Sequence, residues 1–158
     1  EAFAKKADKV ADDVVEDAAK AIKSGRNSSG VVTGSGNGNV SRIMRGTQGN
    51  IGLIPQEVAD KLSGRSFNNF NEFRSAFWKE IANSSYVGEF STSNITRMSK
   101  GFAPKVAKSQ QYGKVSSYVL HHKTPIHAGG GVYDLNNLVI VTPRMHQEIL
   151  DKVYHFGN

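Results

Sequence analysis

Residues 118–150 read Tyr-Val-Leu-His-His-Lys-Thr-Pro-Ile-His-Ala-Gly-Gly-Gly-Val-Tyr-Asp-Leu-Asn-Asn-Leu-Val-Ile-Val-Thr-Pro-Arg-Met-His-Gln-Glu-Ile-Leu, and the order of residue types here decides the fold. Residues 118–122 have the aromatic and branched composition of a short strand that ends on the pair His121-His122. Turn formers fill 125–136, with Gly129, Gly130 and Gly131 in succession. Leu138, Val139, Ile140 and Val141 then make a second, apolar strand. Thr142 suits an N-cap and Pro143 a first helical position, so a helix is expected to start there with His146 in its first turn. Strand, loop, strand and helix in this order predict a ββα unit.

That unit has chemistry in it. The end of its first strand can face the first turn of its helix, so His121 and His146 can grip one divalent cation from two sides. His122 points to the opposite face of a regular pleat and is left to act as a base. Hydrolysis of a phosphodiester needs those two parts, a Lewis acid on the phosphate oxygens and a base for water. Imidazole titrates near neutral pH and serves without large perturbation. A lone His is mostly a surface or packing residue. Two adjacent His, a glycine turn, an Asn and a helical His are harder to explain that way. The chain has no Cys, so a metal site is limited to His, carboxylate or amide donors.

The 158 residues allow one compact domain with an extension. No apolar run approaches the roughly 20 residues of a membrane span, and no secretory signal opens the chain. Because the first residue is Glu1 rather than Met, a fragment of something longer is expected. The net charge is +6, and the first 25 residues are nearly balanced, so the basic excess falls on the remainder. Such a surface suits a polyanion such as nucleic acid. Phe3, Val10, Val14, Ala18 and Ile22 space residues 1–25 as an amphipathic stalk helix. Residues 26–53 read as a Gly/Ser-rich flexible linker, since Gly34, Gly36 and Gly38 fit neither phosphate-binding glycine pattern. The globular domain is expected over 54–158. Within it Phe70, Phe73, Phe77, Trp78 and Ile81 form a helical stripe suited to a core.

The spacing of His121-His122, Asn137 and His146 resembles the HNH motif. The resemblance extends to Ile54-Pro55, Val58 to Leu62, Phe67, Phe70, Phe73-Arg74, Trp78, Ser99 to Pro104, Lys108, Gln110-Gln111, Tyr118, Pro125-Ile126, Val132-Tyr133-Asp134 and Thr142-Pro143. Together these are similar to the DNase domain of the nuclease colicins and S-type pyocins. The resemblance implies an α+β fold, mostly helical, carrying a C-terminal ββα-metal (HNH, His-Me finger) motif. It implies His122 as general base, Asn137 as the residue bracing the loop of that base, and His121 and His146 as ligands of one divalent cation (Mg, Mn, Ni or Zn). Lys100, Lys108, Lys114, Lys123 and Arg144 are candidate nucleic-acid contacts, and His127 a candidate extra ligand. The implied function is a secreted or delivered antibacterial endonuclease that acts in the cytoplasm of a target cell, with DNA as substrate and a small acidic immunity protein as partner. An RNase or tRNase on the same fold, or a degenerate domain that only binds nucleic acid, are the alternatives. Three positions depart from the family: Leu150 where a further His ligand is usual, Val119 where a Glu is usual, and Val115 where an Arg is usual.

Overall fold

The computed structural model describes residues 25–156, so the stalk helix expected over 1–25 lies outside the described residues except for Gly25. In chain order come β1 (Gly30–Val31), β2 (Met44–Arg45), β3 (Ile51–Gly52), α1 (Gln56–Leu62), β4 (Ser66–Phe67) and α2 (Phe70–Ala82). They are followed by α3 (Thr92–Ser99), β5 (Val119–His122), β6 (Leu138–Val141) and α4 (Pro143–Phe156). The ββα unit forms where the residue types place it, and the whole is an α+β fold.

Helix α2 shows why these residues choose their elements. Asn69 caps its start, accepting from the Glu72 backbone N–H at 3.0 Å, while the Glu72 carboxylate reaches back to the Asn68 N–H at 3.1 Å. Behind the cap, Phe70, Phe73, Phe77, Trp78 and Ile81 are all buried, and α2 packs against both α1 and α3. Each such side chain contributes about 1.5–3 kcal/mol by leaving water. The stripe is core, as its spacing predicts.

Two antiparallel sheets frame the helices, β1 with β4, and a four-stranded sheet in the order β2-β3-β6-β5. In the larger sheet His121 pairs with Val139 and His122 with Leu138, which fixes the faces on which the two imidazoles emerge.

Residues 26–53, expected as a flexible linker, need correction. They supply three strands, and Val32 and Ile43 are fully buried core residues. The Asn37 side chain accepts from the Ile54 N–H at 2.7 Å and its own N–H donates to the Ile54 carbonyl at 2.7 Å. Gly36 holds φ at +72°, and a Cβ there would meet the Ile54 carbonyl oxygen at 2.6 Å. The Gly and Asn content that reads as flexibility is what lets the backbone turn and press against Ile54. The folded unit therefore opens well before the expected boundary at Ile54.

Candidate active site

Strand β5 delivers His121 and His122, and the first turn of α4 delivers His146. Thr142 fixes that turn. Its hydroxyl accepts from the Met145 N–H at 3.2 Å and donates to the Gln110 side-chain oxygen at 2.8 Å. Its carbonyl accepts from the His146 N–H at 2.9 Å. The imidazoles of His121 and His146 face one another edge to face, with ring centroids 5.2 Å apart.

Two facing, half-buried imidazoles carry lone pairs only if they are neutral. Burial, then the neighbouring His146 and His122, push the His121 pKa down to about 4. Burial and the Arg26 charge lower His146 as well. Both rings are therefore neutral donors at pH 7, and two facing nitrogen donors fit a divalent cation of the kind imidazole favours. Among the described residues no third His, Asp or Glu joins them.

His122 takes no part in that edge-to-face pair; its ring lies 5.2 Å from that of Phe70. Its Nε2 lies 3.0 Å from the Val132 carbonyl oxygen, which can only accept, so Nε2 carries the hydrogen and Nδ1 the lone pair. Burial lowers its pKa first; the Val132 bond opposes this and the Arg26 charge adds to it.

Asn137 is almost fully buried and ties the loop between the strands. Its oxygen accepts from the Thr124 N–H at 2.8 Å, and its amide donates to the carbonyls of Thr124 at 3.0 Å and Gly131 at 3.1 Å. Gly130 sits where any Cβ would lie 1.9 Å from the Thr124 carbonyl oxygen, so only glycine lets the loop close. The former linker clamps the same loop from outside. The Thr33 N–H donates to Tyr133 O at 3.1 Å, the Leu135 N–H to Thr33 O at 2.8 Å, and the Tyr133 hydroxyl to Ser28 O at 2.7 Å.

The remaining predicted positions divide. Lys123 follows His122 directly and is exposed, and Arg144 is exposed in the same helical turn as His146. Lys108 opens a 3-10 turn (Lys108–Gln110) that packs on α4. Lys100 and Lys114 are exposed, and among the described residues no contact ties either to the histidines. His127 is exposed on a short turn of the loop and does not join His121 and His146 in a group of three, so it is not brought in as an extra ligand. Leu150, one turn beyond His146, is 44% exposed.

Arg26 was not among the expected site residues. Its guanidinium lies 4.7 Å from the centroid of Phe70, whose ring is 5.2 Å from that of His122. Nothing in the local sequence marks it, because it sits in a stretch without periodicity and its neighbours in space come from α2, β5 and α4.

A family model described as the colicin/pyocin-S2 DNase domain matches residues 30–152. Colicin-E7 of Escherichia coli is 36% identical over 129 residues, covering 80% of this chain and 22% of the colicin. Pyocin-S2 of Pseudomonas aeruginosa is 42% identical over 104 residues, or 65% of this chain and 15% of the pyocin. The chain thus spans about a fifth or less of the length of these relatives. The DNase in the crystal structure of the pyocin AP41 DNase-immunity complex aligns with a TM-score of 0.71 at 32% identity, over 80% of this chain and 96% of that one. The mutant nuclease domain of pyocin S8, solved with its cognate immunity protein, aligns with a TM-score of 0.69 at 34% identity, over 77% of this chain and 98% of that one.

Proposed function

The chain belongs to the colicin/pyocin DNase-domain family, and on that premise we propose that it is the nuclease domain of an antibacterial toxin that hydrolyses DNA with the help of one divalent cation. The observation that carries the reading is His122, held by Val132 with a free Nδ1 beside a neutral imidazole pair. In the proposed reaction Nδ1 takes a proton from the attacking water as the water oxygen bonds to phosphorus and the P–O bond to the leaving oxygen breaks. A low pKa keeps that nitrogen unprotonated at pH 7 and ready to accept. His121 and His146 would hold the cation, which when bound supplies Lewis-acid stabilisation of charge on the phosphate and the leaving oxygen. Their imidazole donors favour Zn or Ni over Mg, whose preferred donors are oxygens. Asn137 keeps the loop closed so that Val132 stays aligned with His122. Arg26, Lys123 and Arg144 supply positive charge for the phosphate backbone.

The same reading gives the chain two partners and a place of action. Its relatives of known structure were solved with immunity proteins, and the +6 charge suits a small acidic protein of that kind. Delivered into a competing cell, the domain would act on DNA in the cytoplasm. The test is plasmid nicking with and without EDTA, beside total tRNA as substrate. Nicking of DNA that EDTA stops, and that His122→Ala abolishes without loss of helical signal, is the expected result. Full nicking by the His122 variant sinks the assignment of the base. Cleavage of tRNA alone, indifferent to EDTA, sinks the DNase reading.

A further inference from the structure

We propose that Phe70 is a positioning residue for the reaction, holding the Arg26 guanidinium at the phosphate-binding face by its ring rather than by a counter-charge; this rests on the nuclease reading above. Phe70 stands at a junction. It is 1% exposed, its ring is 5.2 Å from His122 on one side, and the Arg26 guanidinium lies 4.7 Å from its centroid. Phe73 at 5.3 Å and Tyr133 at 6.3 Å fix the ring from α2 and from the loop. Core packing alone explains Phe73 and Phe77. It does not explain why a core ring ends beneath a cation.

The manner in which Arg26 is held has a consequence. A carboxylate partner would orient the guanidinium and also cancel its charge, leaving little for a polyanion. Among the described residues none makes an ion pair with Arg26, and its charged neighbour is another cation, Arg74. A π face orients the cation while leaving its charge and its outward N–H groups available. Burial makes the guanidinium costly to keep beside neutral imidazoles unless something anionic arrives, and DNA phosphate is that anion in the nuclease reading.

Graded fluorination of Phe70 tests this, since fluorine drains the ring face of negative charge while keeping its shape. The protein would carry 4-fluoro-, 3,5-difluoro- or 3,4,5-trifluorophenylalanine at position 70, in the parent and in an Arg26→Gln background. Binding of a fluorescein-labelled DNA duplex is followed by anisotropy in EDTA across a salt series, and plasmid nicking is followed separately. Stepwise loss of DNA affinity to about a fifth of the parent value, with a log–log salt slope shallower by about one phosphate, is expected in the Arg26 parent. In the Arg26→Gln background the series should be flat. Unchanged binding along the series in the parent, or an equal decline in both backgrounds, overturns the role of Phe70 as a holder of Arg26. Absence of DNA binding by the unsubstituted protein overturns the nuclease reading and this proposal together.

Discussion

Asn137→Ala separates the work of Asn137 from the work of the histidines. The substitution removes one acceptor and two donor contacts, to Thr124 N–H, Thr124 O and Gly131 O. At about 1 kcal/mol for each net hydrogen bond the loss is about 3 kcal/mol. Thr124 and Gly131 are exposed, so water takes over part of their bonding and roughly 2 kcal/mol is the expected change in global stability. Activity should fall much further. The loop that opens carries Val132, whose carbonyl fixes the tautomer and ring plane of His122. A catalytic group misplaced by about 1 Å loses on the order of 100-fold in rate. Urea denaturation followed by Trp78 fluorescence gives the first quantity, and plasmid nicking under strongly folding conditions gives the second. Hydrogen exchange at the Thr124 amide locates the opening. Asn137→Asp is the informative control, because a carboxylate keeps the acceptor for Thr124 N–H but faces two carbonyl oxygens without a donor. It should be no better than Ala. A variant Asn137→Ala that unfolds at the parent urea concentration and nicks at the parent rate refutes the bracing role.

Three further outcomes are expected. His121, His122 and His146 all titrate below their ordinary value in the folded chain, so the unfolded chain binds more protons as pH falls below about 6.5. Stability should thus be full above that pH and decline toward pH 4, and metal-free urea midpoints that stay level or rise on acidification contradict it. Leu150→His adds an imidazole one turn after His146 on an exposed position, so Zn²⁺ affinity by titration calorimetry should rise by at least about tenfold; unchanged affinity means α4 does not present the two positions to one ion. Gly36→Ala must strain a φ of +72° and push on the Ile54 carbonyl, whereas Gly38→Ala at φ +81° has open space around it. The first should cost about 2–4 kcal/mol and the second about 1 kcal/mol, and equal, negligible effects in thermal melts would return this stretch to linker status.

What was legible in the sequence follows from element length. The aromatic stripe of α2 and the strand-loop-strand-helix order of 118–150 extend over enough residues for periodicity and caps to appear, and both form as read. Strands β1, β2 and β3 are two residues long, too short for any alternation, and they exist only because distant partners complete them. Val31, for example, pairs with Ser66, and Ile51 with Val141. Glycine and asparagine carry opposite meanings in a linker and in a tight turn, and composition does not separate them. In the site, the histidines and Asn137 announce themselves by spacing. Arg26 does not, because its partners lie on other elements.

The misread stretch and the ββα unit turn out to depend on each other, and this is why the site cannot be assigned to the C-terminal motif alone. A loop from 123 to 137 with three glycines would wander if held only at its two strands. Asn137 ties the loop at Thr124 and at Gly131, and so holds Val132, the residue bonded to His122, from one side. Thr33 reaches it from the other side by pairing with Tyr133 and Leu135, and Tyr133 is anchored in turn on Ser28. The same short N-terminal strip ends two residues earlier at Arg26, over Phe70. One segment therefore both stiffens the loop that holds His122 and carries a cation to the Phe70 ring beside it. In the proposed reaction that rigidity would let His122 meet a phosphodiester without rearrangement.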